Sequence, residues 1–322
     1  MAGEAESSTA VIESSAKLKL LGKLAEGGMG AIYLAEQEGA AGFRKIVAVK
    51  TIRRDMVKRE DTKVMFVGEA KLVSDLIHEN ILQIYQLGRS PEGYFIVMEY
   101  VVGKNLAKMI DTLKAANRTI PPDLGAFMVS RVCRALHYAH NKHDYKGNAL
   151  HIVHRDVTPS NVIVSYGGVV KLTDFGISKA VTTQMPDERE TVMGKFPYMS
   201  PEQATFQGTD ARSDIFSLGL VAFELLTGKM VYKVEDINAL IEKMEKFRIP
   251  RLRRVNPQIP QELDDIIAKA VEMKPEDRYQ TAREMGQALE HFMYDKGYGP
   301  TNEKLAEFMA ELYPKARAQA FW

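Results

Sequence analysis

The feature that most constrains the fold of this 322-residue chain is a change of periodicity near residue 103. Residues 18–23, 31–36, 46–52, 81–87 and 94–98 form short β-like runs, rich in β-branched and aromatic side chains and separated by Gly, Ser or Pro. One helix should interrupt them over residues 62–76, where Val64, Phe66, Val67, Ala70, Leu72, Val73 and Leu76 approximate a helical stripe. Beyond Gly103 the segments lengthen and become amphipathic, around residues 106–116, 123–141, 213–227, 235–246, 261–271 and 281–291. A strand-rich part with one main helix, followed by a larger helical part, predicts an α+β chain of two packed lobes. Residues 143–151 (His-Asp-Tyr-Lys-Gly-Asn-Ala-Leu-His) carry turn-forming Asp, Gly and Asn and should be a surface insertion. Leu305, Phe308, Met309 and Leu312 place a last helix over residues 301–313, ended by Pro314; it either packs on the larger lobe or serves for docking.

A content of 45% hydrophobic residues is enough to bury a core in a chain this long. The 43 Lys and Arg nearly cancel the 42 Asp and Glu, so no global field favours nucleic acid or an anionic membrane. Cys133, the single cysteine, sits among Phe127, Met128, Val132 and Leu136 and is expected to be an inert core thiol. Residues 1–17 are rich in Ala, Ser and Glu and read as a disordered acidic tail without signal-peptide character. No run approaches the ~20 apolar residues that a membrane helix needs, so the chain is expected to be cytoplasmic. What a longer parent protein would carry past Trp322 stays open.

Chemistry concentrates in the middle of the chain. His154-Arg155-Asp156-Val157-Thr158-Pro159-Ser160-Asn161 is followed by Asp174-Phe175-Gly176. Upstream lie Ala25-Glu26-Gly27-Gly28-Met29-Gly30-Ala31-Ile32 and Val47-Ala48-Val49-Lys50; downstream lie Ser200-Pro201-Glu202 and Ser213-Asp214-Ile215-Phe216-Ser217-Leu218-Gly219. A glycine triplet alone could mark a dinucleotide fold, but here strands lead in and out of it and a lysine follows, so Gly27 and Gly30 belong to a hairpin tip. In this order, from about Leu18 to about Phe292, the chain resembles the eukaryotic-like (Hanks-type) Ser/Thr protein kinases of bacteria.

That resemblance implies a two-lobed kinase fold, with a small lobe over residues 18–102, a large lobe over 103–294 and a helical extension over 295–322. It implies ATP and Mg²⁺ as cofactors, and an Asp156 that positions the attacking hydroxyl while Asn161 and Asp174 hold the metal. Lys50 would contact the α and β phosphates and pair with Glu69, because an unpaired buried ammonium tends to lose its proton. Leu24, Gly27, Gly28, Gly30, Ile32 and Ala48 would frame the nucleotide, with Met98 as gatekeeper and Glu99 and Val101 offering backbone groups to adenine. Arg155 would pair with a phosphate on the activation segment, at Thr191 first and at Thr182 or Thr183 second. Glu202 should pair with Arg278, Asp214 should brace the loop of Asp156, and His154 should be a supporting core residue.

Two positions depart from the family's pattern. Thr158 stands where a Lys is usual and Lys195 where a Thr is usual. Either Lys195 reaches back to Asp156 and the transferred phosphate, with Thr158 supplying the neutral hydrogen bond, or it points into solvent. The expected activity is transfer of the γ-phosphoryl group to Ser or Thr of protein substrates, with activation-segment autophosphorylation and possible self-association. The rivals are a nucleotide-binding pseudokinase scaffold and a small-molecule phosphotransferase; Tyr specificity is less excluded than usual because of Lys195. Neither a nucleic-acid partner nor a zinc site is expected.

Overall fold

The computed structural model describes residues 17–27, 30–52, 60–175, 196–295 and 297–317. The expected tail lies outside them except for Lys17, which opens the first strand. Strands β1 (Lys17–Glu26), β2 (Gly30–Glu38), β3 (Arg44–Ile52), β4 (Ile84–Ser90) and β5 (Gly93–Glu99) form an antiparallel sheet in the order β1-β2-β3-β5-β4. Helix α1 (Glu60–Ser74) packs on β4 and β5. The register sets Ala48 opposite Leu34 on one side and Met98 on the other, and Lys50 opposite Ile32 and Ile96.

The expected strand over residues 81–87 is displaced. Ile81 makes a bridge to Leu172 instead, Leu82 N donates to the Leu172 carbonyl at 2.9 Å, and β4 begins at Ile84. Ile81 is buried in the core of the second lobe, not in that of the sheet. An apolar pattern records that a residue is buried but not which core receives it.

The second lobe opens with a small sheet of β6 (Gly103–Asn105), β7 (Val162–Ser165) and β8 (Val170–Leu172), next to α2 (Leu106–Ala115) and α3 (Pro122–His140). Then come α4 (Pro201–Ala204), α5 (Ala211–Thr227), α6 (Ile237–Lys246), α7 (Leu252–Val255), α8 (Gln261–Ala270) and α9 (Ala282–Tyr294). Every residue of α5 from Ser213 to Leu226 is buried, the signature of a helix enclosed on all sides. Asp210 caps its start and Gly228, at φ 69°, its end. Cys133 lies inside the same core, where burial pushes its thiol pKa up and removes its reactivity.

Residues 143–151 form the surface excursion expected of them. His143 bridges Ala149, and Asp144 Oδ1 accepts from Lys146 N and Asn148 N at 2.8 Å each. The last helix, α10 (Asn302–Leu312), packs on the larger lobe with Leu305, Phe308, Met309 and Leu312 buried. Pro314 ends it and opens the short α11 (Pro314–Arg317). Tyr313 Oη donates to Thr112 Oγ1 at 3.1 Å, and Lys304 pairs with Asp123 at 2.7 Å. Gly168 makes this docking possible: it sits at φ 78°, and a Cβ there would lie 1.9 Å from the Asn302 carbonyl oxygen. Gly168→Ala should therefore cost about 3 kcal/mol in denaturant unfolding, whereas Gly167→Ala, with only an ordinary contact at 3.7 Å, should cost about 0.5 kcal/mol.

Candidate active site

The hairpin between β1 and β2 closes with Gly27 N donating to the Gly30 carbonyl at 2.8 Å. Its two described glycines serve different needs. A Cβ on Gly30 would stand 1.8 Å from the Thr51 carbonyl oxygen, so that glycine lets β2 approach β3; Gly27 has open space on its Cβ side. Ala25 lies in β1 opposite Ile32 and is not among the residues with positive φ, so its side chain brings no strain. Ile32, Ala48, Met98 and Val101 share one apolar cluster, while Leu24 in β1 remains 42% exposed. Glu99 pairs with Lys171 at 2.9 Å, and its N–H goes to the Gln83 carbonyl. Among the described residues, the backbone N–H and C=O of Val101 have no protein partner.

Below this cleft the two lobes meet through charge. Lys50 Nζ on β3 lies 2.8 Å from Oδ1 of Asp174, which follows β8 and holds a left-handed φ of 53°. Asn161 Nδ2 donates to the Asp156 carbonyl oxygen at 2.8 Å and to Asp156 Oδ2 at 3.1 Å. Its own carbonyl accepts from Thr173 N at 2.8 Å. His154, fully buried, accepts from Asp156 N on Nδ1, so Nε2 carries the proton that goes to the Thr173 carbonyl at 3.0 Å. Burial lowers its pKa, which keeps the ring neutral and this tautomer fixed. Asp156, Asn161 and Asp174 are thus brought into one hydrogen-bonded region facing Lys50, and Thr158 is buried beside them in sequence.

Asp214, at the start of α5, supports the loop from beneath. Its Oδ2 accepts from His154 N at 2.8 Å and its Oδ1 from Arg155 N at 2.7 Å. These bonds hold Arg155 at φ 61°. Arg155 Nε is buried and has no partner among the described residues. Glu202 pairs with Arg278 as expected, through Oε1 at 2.8 Å and Oε2 at 2.9 Å.

Three supports were not anticipated from the sequence. His140 Nε2 meets Asp214 Oδ2 at 2.8 Å, Lys171 meets Glu99, and Gln203 Nε2 donates to the Arg155 carbonyl at 3.0 Å. Only Gln203 left a trace in sequence, because Ser200 and Gln203 stand at capping-box spacing and do form that box. His140 and Lys171 are matched to their partners by tertiary approach alone. The side chain of Glu69 on α1, together with Gly28, Thr182, Thr183, Thr191 and Lys195, lies outside the described residues.

Burial alone would push the Glu202 carboxyl up, but its bonds to Arg278 and Ser213 outweigh that and hold it below the ordinary Glu value of 4.5. A depressed carboxyl contributes stability that is complete above 4.5 and disappears as pH falls through its folded value. Glu202→Gln should accordingly flatten the loss of stability with acid below about pH 5. Arg278→Met, which strands the buried carboxylate, should cost about 3 kcal/mol at neutral pH in denaturant unfolding.

Comparison with known proteins adds the family. The protein kinase domain profile matches residues 18–292. The tyrosine-protein kinase MasK of Myxococcus xanthus is 37% identical over 290 residues, which cover 90% of this chain and 45% of the relative. The serine/threonine-protein kinase PrkC of Bacillus subtilis is 35% identical over 271 residues, covering 84% and 40%. The chain therefore spans less than half the length of these curated relatives. The crystal structure of the Mycobacterium tuberculosis PknI kinase domain shares the fold, with a TM-score of 0.63 at 24% identity over 85% of this chain and 95% of that one. Since the profile spans both lobes and the motifs that join them, the chain belongs to the protein kinase domain family.

Proposed function

We propose that this chain transfers the γ-phosphoryl group of ATP to Ser and Thr hydroxyls of protein substrates. The observation that carries the reading is the pairing across the lobes, Lys50 with Asp174, beside the bonded pair of Asn161 and Asp156. In this reading the Asp156 carboxylate orients the attacking hydroxyl and draws on its proton. Lys50 steadies the α and β phosphates, with Glu69 on α1 as its expected partner. Gly27, with open space on its Cβ side, and Gly28 let the hairpin approach the phosphates. Leu24, Ile32, Ala48 and Met98 enclose the adenine, and the unpaired backbone of Val101, next to Glu99, supplies its hydrogen bonds.

Asn161 and Asp174 fit a magnesium site. Because Asn161 commits its Nδ2 to Asp156, its Oδ1 is left as an oxygen donor, and an amide oxygen with a carboxylate suits a hard cation. The metal, when bound, would neutralise charge on the phosphates. Activation-segment autophosphorylation, aided by self-association, is part of the proposal. Arg155, whose buried Nε lacks a partner among the described residues, would receive the phosphate of Thr191, with Thr182 and Thr183 as second choices. The domain limits follow the same reading: a small lobe over 18–102, a large lobe over 103–294 and an extension over 295–322. No helix among the described residues is long and apolar enough to cross a membrane, and we place the activity in the cytoplasm.

A second reading has its own support. MasK is named a tyrosine-protein kinase, and this chain carries Thr158 and Lys195 where Ser/Thr kinases usually have Lys and Thr. Phosphoamino-acid analysis after incubation with labelled ATP separates the two; phosphotyrosine alone would overturn the Ser/Thr assignment. Asp156→Asn should keep nucleotide binding and lose at least about 100-fold in transfer. Near-parental turnover in that variant would sink the kinase reading, whereas binding without transfer in the parent would favour the pseudokinase scaffold. If Lys195 acts from the opposite wall, Lys195→Thr should reduce turnover and the added Thr158→Lys should restore a substantial part of it.

A further inference from the structure

A second cavity, of about 560 Å³, opens where the loop between α1 and β4 meets the C-terminal end of α3. It shares no residue with the cleft lined by Lys50, Met98 and Asp174. His78, Arg134, His137, Tyr138, Lys142 and His143 line it, and no carboxylate does. Such a volume suits a small ligand or a single modified side chain.

The hydrogen bonds around it fix what each imidazole offers. His78 Nδ1 accepts from Asn80 N at 3.0 Å, so the neutral ring carries its proton on Nε2. The Asn141 amide is oriented by its bond to the His137 carbonyl, and its Nδ2 therefore donates to His137 Nδ1 at 3.0 Å. His137 is left with an Nε2 donor as well. His143 gives its Nδ1 proton to the Asn141 carbonyl at 2.8 Å. Burial lowers the pKa of both His78 and His137, and Arg134 and Arg283 respectively add to that, so both are donors while neutral.

Two cations complete the set. Arg134 is held by Glu290 at 2.9 Å and approached by Glu79 at 3.7 Å. Lys142 has no acidic partner among the described residues; its ammonium donates to Tyr138 Oη at 3.2 Å. An unneutralised lysine, an arginine and two fixed imidazole donors offer more hydrogen bonds than the two oxygens of a carboxylate can take. A phosphate, with three or four acceptor oxygens, has room for these donors, and Lys142, which has no acidic partner among the described residues, meets its charge. We infer that this cavity binds a phosphate group, either free phosphate or that of a phosphorylated side chain.

The test is NMR of the imidazole Cε1–H groups in the full chain, titrated with inorganic phosphate in one arm and with O-phosphothreonine in the other. Saturable shifts at His78 and His137 are expected in both arms, and the tighter ligand identifies the source. Lys142→Gln, at a half-exposed position, should weaken binding on the order of ten-fold. Glu290→Gln, which releases Arg134 and removes a repulsive charge, should strengthen it several-fold. Lys50→Met should leave these shifts intact, which separates them from phosphate held in the nucleotide cleft. Shifts that stay linear with concentration, or equal affinities in Lys142→Gln and the parent, would overturn the assignment.

Discussion

The buried carboxylate of Asp214 is the constraint on which the site depends. A charge with no exposure to water is costly unless its oxygens are fully bonded. Here the bonds come from His154 N, Arg155 N and His140 Nε2, and its place in the first turn of α5 adds the favourable end of the helix dipole. Two backbone N–H groups from consecutive residues can converge on one carboxylate only if the chain turns sharply. That turn puts Arg155 in the left-handed region, where a side chain with a Cβ is strained. The strain is thus held by a charge pinned to a helix that is buried from Ser213 to Leu226.

Further supports extend outward from that point. His154 links the loop to Thr173, Thr173 bonds the Asn161 carbonyl, and Asn161 bonds Asp156. The same stretch leads into Asp174, which reaches Lys50 on the other lobe. Residues 80–82 reinforce the crossing from the other side: Asn80 bonds the Val170 and Leu172 backbone, and Ile81 is buried in the second lobe's core. The small lobe is therefore attached both by packing and by an ion pair at the cleft. The rear cavity sits beside the same loop, through His78.

Some of this was legible in the chain itself. The shift from short β-like runs to amphipathic segments at Gly103 gave the two lobes, because period 2 and period 3.6 place apolar residues differently. The motifs around Lys50, Asp156, Asn161 and Asp174 carried the family resemblance, and the Glu202 to Arg278 pair came with it. The helix over 302–312 was visible from the spacing of Leu305, Phe308, Met309 and Leu312, and its stop from Pro314.

Sequence by itself determined element types, the order of the motifs and the charge balance, since each is a local or compositional property. Only the tertiary structure decided partners and occupancy. His140 looks like any helical histidine until α3 brings it against Asp214, and Lys171 like a solvated lysine until β8 sets it beside Glu99. Ile81 reads as a strand residue, yet which core would take it depended on how the lobes close. The histidines of the rear cavity are dispersed over residues 78, 137 and 143, and their tautomers depend on acceptors supplied by the folded backbone. The physical reason is common to all four: hydrogen bonds and burial act over a few ångströms in space, whereas sequence patterns register only neighbours along the chain.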